Sequence, residues 1–239
     1  MKKLVKKILK NRGYQLKRYP DFELLKRMKI IESNNINTIF DVGANIGQYA
    51  RKLRELGYKK EIISFEPLKD AFEELKMASI NDNNWIVNNY ALGNEDAVCM
   101  INIAGNSFSS SILNMLPTHL KSAPESKYIR KEKIEVKKID SIFNFFVKKE
   151  DSVMLKIDTQ GFEKNVLYGA NGSLKNIKII QLEMSIIPLY ENEMLFVEMY
   201  NYLDNKGFQL FALEEEFSNP TTGQLLQVNG MFVKKNSKI

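Results

Sequence analysis

From residue 38 onward, short apolar runs of strand length alternate with longer amphipathic stretches of helical period, and this alternation restricts the fold more than any other feature. Strands are expected at 38–42, 62–65, 85–87, 153–157, 177–182 and 208–213, and helices at 48–56, 69–79, 161–169 and 194–205. Gly57 and Gly207 stand where the C-terminal caps of two of these helices belong. Residues 98–103 and 133–139 alternate weakly and read as further strands, and 228–234 as the closing arm of a terminal hairpin. Residues 106–126, rich in Ser, Pro and Asn, read as a long loop or lid. Strand–helix alternation on this scale calls for an α/β fold, a mostly parallel sheet with helices on both faces. Ligands of such sheets bind beyond the carboxyl ends of the strands.

The chain of 239 residues suffices for one full-sized core. Its net charge of +6 is concentrated at one end: residues 1–18 carry eight basic and no acidic side chains, leaving 27 basic against 29 acidic in the rest. The sequence therefore divides into a basic helical arm, 1–35, and a domain, 36–239. The basic charge gives no reason to expect a nucleic-acid-binding body. Within the arm, 2–10 have helical spacing, with Leu4, Val5, Ile8 and Leu9 on one face. That helix is either a peripheral contact with the inner face of a membrane through 1–18, or a solvated cap. Residues 21–33 form a second helix, with Phe22, Leu24, Leu25, Met28 and Ile31 as its buried stripe. No apolar run reaches the ~18 residues of a membrane span, and lysines interrupt the signal-peptide pattern, so a cytoplasmic location is expected. A single cysteine, Cys99, rules out an intrachain disulfide and a cysteine-built metal centre.

The chemistry concentrates where strands end. Asp41-Val42-Gly43-Ala44-Asn45-Ile46-Gly47-Gln48-Tyr49 turns a strand into a helix, and Glu66 follows at the end of the next strand. Gly43 permits a tight turn; Gly47 permits either close backbone approach to a ligand or a tight helix start. A carboxylate placed like Glu66 accepts both hydroxyls of a ribose. The glycines do not follow GxGxxG, and Asp41 stands where a pyrophosphate would be repelled. A nucleoside ligand bearing an ammonium and a sulfonium is compatible with that acid, which favours S-adenosyl-L-methionine over a nicotinamide. Asp158 closes the strand 153–157, and Glu183 the strand 177–182. Two carboxylates on adjacent strand ends are candidates for general base or for ligands of a divalent cation. The alternatives are a helix cap for Asp158 and an ion pair with Lys156 for Glu183. His119, alone of its kind, lies in the lid segment, either solvated or as a base.

The segments FDVGANIGQYA, FEPLKDAFEEL, NNYALGN, SSSIL, KKIDSIF, MLKIDTQGFEKNVLYGA, IIQLEMSIIPLYENE and TTGQLLQVNGMFVKK follow one another over roughly 36–235. In these segments, in this order, the chain resembles the FkbM family of methyltransferases. The resemblance implies a class I, Rossmann-like methyltransferase fold with a seven-stranded, mostly parallel sheet whose last strand is antiparallel. It also implies S-adenosyl-L-methionine as methyl donor and a hydroxyl acceptor on a sugar, glycan or natural product. Carried over, Asp41, Gly43, Ala44, Asn45, Gly47, Gln48 and Tyr49 belong to the loop at the donor's amino-acid end. Glu66 would hold its ribose, and Asn88, Asn89 and Ala91 would lie near its adenine. The resemblance says little of the base; from the strand ends themselves, Asp158 is expected as base or metal ligand, with Glu183 assisting. Rival readings are a nucleic-acid methyltransferase, a nicotinamide oxidoreductase and a non-catalytic module of the same fold. The first is weakened by Asp158-Thr159-Gln160-Gly161, which stands where amino-methylating enzymes carry Asn/Asp-Pro-Pro-aromatic.

Overall fold

The computed structural model describes residues 9–14 and 19–235. Seven strands form the main sheet: β1 (Thr38–Val42), β2 (Glu61–Phe65), β3 (Trp85–Asn88), β7 (Val153–Ile157), β8 (Ile177–Ser185), β9 (Phe208–Ser218) and β10 (Leu225–Lys234). Their order is β3-β2-β1-β7-β8-β10-β9. The first five are mutually parallel, and β10 runs antiparallel between β8 and β9. This is the seven-stranded, mostly parallel sheet expected from the sequence, with its antiparallel strand inserted rather than at the edge. The order reverses between β1 and β7, which sets the ligand crevice over the carboxyl ends of those two strands.

Helices cover both faces. Every residue of β1 and β7 is buried, as a central strand covered on two sides requires. Phe40, Ile63, Leu155 and Ile180 face one way, into a core closed by α5 (Ile139–Phe146), α6 (Glu163–Gly169) and α7 (Phe196–Asn205). Ile39, Ile62, Met154 and Ile179 face the other way, against α1 (Phe22–Ser33), α2 (Gln48–Glu55) and α3 (Lys69–Ser79). This period of two is the pleat of the strands. The Phe40 ring packs between Phe65 and Phe143 at centroid distances of 5.6 and 5.7 Å. A second sheet, of order β4-β6-β5, combines β4 (Ala91–Leu92), β5 (Ala97–Ala104) and β6 (Tyr128–Lys137). Its inner side buries Ile101, Ile103, Ile134 and Val136 against Leu68 and Ala71.

Several expectations are corrected. Helix α1 buries Met28, Ile30 and Ile31, while Phe22 is exposed and Leu25 partly so. The arm from Phe22 onward is thus seated on the core, and its stripe is rotated from the expected one. The expected helix at 2–10 lies almost wholly outside the described residues. The segment 106–126, expected as a long loop or lid, is largely irregular but not loose. It contains a short helix, α4 (Pro117–Ser122), and is tied down at both ends. Asn102 and Ser111 exchange backbone hydrogen bonds, Leu116 N–H donates to Leu189, and Ser109 Oγ lies 3.0 Å from Ser126 Oγ. Strand β6 starts ahead of the weak alternation at 133–139, and β8 continues past Leu182 to Ser185, placing Glu183 inside the strand. Among the described residues, no helix is long and apolar enough to cross a membrane.

Candidate active site

The glycine loop after β1 turns where its backbone meets the neighbouring loop. Gly43 has φ +72°, and a Cβ on it would lie 1.8 Å from the Asp158 carbonyl oxygen, so no other residue fits. Gly47, at φ +85°, starts α2. Its missing Cβ makes room for Leu75 and Trp85, so packing and the tight helix start, rather than ligand approach, require it. Asn45 also sits at positive φ, +48°.

Asp41 is fully buried and points under the loop, not into the crevice. It accepts from Ser64 Oγ at 3.2 Å, which itself accepts from Trp85 Nε1, and its other oxygen lies 3.1 Å from Lys156 Nζ. Lys156 also donates to the Gly43 carbonyl and approaches Asp158 at 3.4 Å. The alternative pairing of Lys156 with Glu183 is not made. Tyr49 lies behind the loop as well, its hydroxyl donating to Gln181.

Glu66 is 5% exposed and accepts from two backbone N–H groups, Asn45 at 2.8 Å and Leu68 at 2.9 Å. Burial pushes its carboxyl up to about 7 against the pull of those two donors. One carboxylate thereby fixes two loops and keeps lone pairs free for two hydroxyls. Asn88 and Asn89 turn back onto the β2 side, donating to Ser64 and to Glu66 and Pro67 carbonyls, whereas Ala91 reaches the crevice wall.

Asp158 follows β7 directly but caps nothing: α6 begins after Phe162 with no side-chain cap. Its partner is Gln160, which sits at φ +55° before Gly161. Gln160 Nε2 donates to Asp158 Oδ1 and to Glu183 Oε2, each at 3.0 Å. Gln160 Oε1 accepts from Tyr190, and its carbonyl accepts from Ser111. Both amide hydrogens are therefore spent on the two carboxylates. Burial, and then the charge of Asp158, hold the Glu183 carboxyl well above the usual range. Among the described residues no group of three His, Cys, Asp or Glu side chains is arranged to hold a metal ion, and Gln160 bridges the pair offered as ligands. Behind them, Glu163 is buried, accepts from Thr159 and Gly161 N–H groups, and is pushed up to about 7 by burial.

Two clefts meet here. One, of about 570 Å³ with its mouth, is walled by Leu68, Ala91, Ile101 and Phe162, with Glu66 and Asp158 as its acids. The other, of about 1080 Å³ with its mouth, runs toward Glu183, Glu216, His119 and Gln227. Asn45, Phe108, Asp158 and Gln160 line both. His119 is not solvated: it is 3% exposed, lies edge-on to Tyr190 and against Phe217, and burial lowers it to about 4. Neither Gln160 nor Phe108 was singled out from the sequence as a site residue. Gln160 was legible as the polar residue between Asp158 and a turn glycine, but Phe108 and Glu216 carry no local signal.

The smaller cleft fits S-adenosyl-L-methionine: apolar walls for a flat base and a buried carboxylate, Glu66, for a diol. Fold and site together define a class I S-adenosylmethionine-dependent methyltransferase. The family described as "Methyltransferase FkbM domain" matches residues 41–210, and the chain belongs to that family. No curated protein matches the chain. Among solved structures, Sp1610 of Streptococcus pneumoniae in complex with S-adenosyl-L-methionine is similar at 13% identity and TM-score 0.46, covering 90% of this chain and 74% of that one. An rRNA methylase from Streptococcus thermophilus gives 9% identity and TM-score 0.46, over 93% of this chain and 100% of that one. TehB from Haemophilus influenzae gives 12% and 0.47, over 89% of this chain and 62% of that one.

Proposed function

We propose that the protein methylates a hydroxyl oxygen of a sugar, glycan or natural product, with Asp158 as the group that takes the hydroxyl proton. The observation that carries this reading is that Asp158 and Gln160 line both clefts, so a reacting oxygen entering from the larger one meets a carboxylate at the junction. S-adenosyl-L-methionine, when bound, supplies an electrophilic methyl carbon; the acceptor oxygen's lone pair forms the C–O bond while the C–S pair stays on sulfur. Glu66 and the backbone it fixes hold the nucleoside, and the Lys156 ammonium anchors the loops on either side of it. Asp158 Oδ1 is held by Gln160 and its Oδ2 faces Lys156. Burial and the charge of Asp158 favour the protonated form of Glu183, so it assists as a polar partner and leaves the proton to Asp158. Alignment of oxygen and methyl carbon supplies the rest of the acceleration. No phosphate-binding cation lines the larger cleft among the described residues, which supports a small acceptor over a nucleic acid.

Asp158→Asn tests the reading. Turnover should fall by roughly 100-fold or more, while the affinity for S-adenosylhomocysteine, read by calorimetry, stays within a few-fold. Unchanged turnover would remove Asp158 from the chemistry.

A further inference from the structure

The larger cleft carries a charge pattern that the methyl donor does not account for. Its titratable lining consists of Glu125, Asp158, Glu183 and Glu216, together with His119. Only Asp158 of these also borders the donor cleft, so Glu125, Glu183 and Glu216 face whatever comes from the acceptor side. Among the described residues, the basic side chain that approaches Asp158 is that of Lys156, which lies beneath it and is already paired with Asp41. His119 adds a second, independent sign of a ligand. It is 3% exposed, borders the cleft, and its Nδ1 has no hydrogen-bond partner among the described residues. A buried ring nitrogen left without a partner is costly, and a polar ligand group would relieve it.

Resting on the methyltransferase reading above, we propose that the acceptor is a cationic polyol: a hydroxylated ring bearing a protonated amine, of which an amino sugar is the simplest form. The ammonium sits toward Glu216 and Glu125, and a hydroxyl of the same molecule reaches Asp158. Phe217, packed against His119, provides the apolar face on which a sugar ring lies. A protonated amine has no lone pair, so it anchors the molecule and the hydroxyl remains the nucleophile. The same carboxylates repel phosphorylated or carboxylated acceptors.

The test uses the full chain loaded with S-adenosylhomocysteine, whose own binding is measured first by calorimetry. The loaded protein is then titrated with a glucosamine oligosaccharide and with its fully N-acetylated counterpart. The amine-bearing probe should bind at least about tenfold tighter, and added salt should shrink that margin. Glu216→Gln and Glu125→Gln should each narrow the margin by about threefold or more without moving the affinity for S-adenosylhomocysteine. Equal affinities, a preference for the acetylated probe, or binding of neither would overturn the proposal while leaving the methyltransferase reading intact. Failure of S-adenosylhomocysteine itself to bind would overturn both.

Discussion

Gly43 is the position where a single side chain would do most damage. The Asp158 carbonyl occupies the place of its Cβ, and its φ of +72° is disfavoured for any other residue. Gly43→Ala should therefore cost roughly 2–5 kcal/mol in urea unfolding and abolish binding of S-adenosylhomocysteine. Glu66 makes the opposite kind of contribution. Ribose hydroxyls would be donors to its carboxylate, favouring the charged form of a group now held at about 7. Affinity for S-adenosylhomocysteine should accordingly rise from pH 6 to pH 8, with proton release detectable by calorimetry in buffers of different ionisation enthalpy. Glu66→Gln should lower affinity by roughly 10–100-fold and flatten that dependence. At this scale the sequence was informative wherever a residue type has one main use, as at Gly43 and Glu66. It misdirected at Asp41, whose acid was read as facing the ligand. Nothing local says that a lysine 115 residues later, opposite it in the β1–β7 register, turns that carboxylate inward.

That strand pair is the natural unit for the next prediction. Asp41 and Lys156 are Cα partners on adjacent parallel strands, both buried, and they link the glycine loop to the Asp158 loop. Lys156→Met should destabilise the fold by roughly 3–5 kcal/mol, because it strands a buried carboxylate. Adding Asp41→Asn should recover a large part of that loss, as a double-mutant cycle in denaturant would show. The loop after β7 shows where sequence reading of elements runs out. The strand was legible as four apolar residues around Lys156, and the helix start was placed two residues early. The turn at Gln160, which brings Asp158 and Glu183 together, depends on contacts from Tyr190 and Ser111 far along the chain. Segment 106–126 was read as a long loop or lid from its Ser, Pro and Asn content. Those same residues form the hydrogen bonds that pin it, at Asn106, Ser109 and Ser126.

For the molecule as a whole, Glu66 and Glu163 are two of the buried groups through which stability depends on pH. Glu66 and Glu163 are each raised from an ordinary 4.5 to about 7. The folded chain thus binds these protons more tightly than the unfolded chain, and their stabilisation, complete below about 4.5, is lost as pH climbs through 7. Each group should remove on the order of 1 kcal/mol between pH 6 and pH 8. Glu163→Gln keeps an acceptor oxygen for the Thr159 and Gly161 N–H groups and should reduce the pH slope of the urea midpoint by one group's share. An undiminished slope would assign it elsewhere. The parallel sheet itself was readable because burial on both faces leaves β1 and β7 mostly apolar, broken only by Thr38, Asp41 and Lys156. The small sheet was not, since β5 and β6 are half exposed and alternate too weakly to announce their pairing.

Phe108 is largely exposed, yet its ring stands where the two clefts join. Under the proposed function, a ring at that junction would limit how bulky a carbon group can be when it passes from the donor to the acceptor. Shortening it to alanine should let the protein accept synthetic donors carrying allyl or propargyl in place of methyl, turning a natural methyl-marking catalyst into a tool for attaching chemical handles to its acceptor.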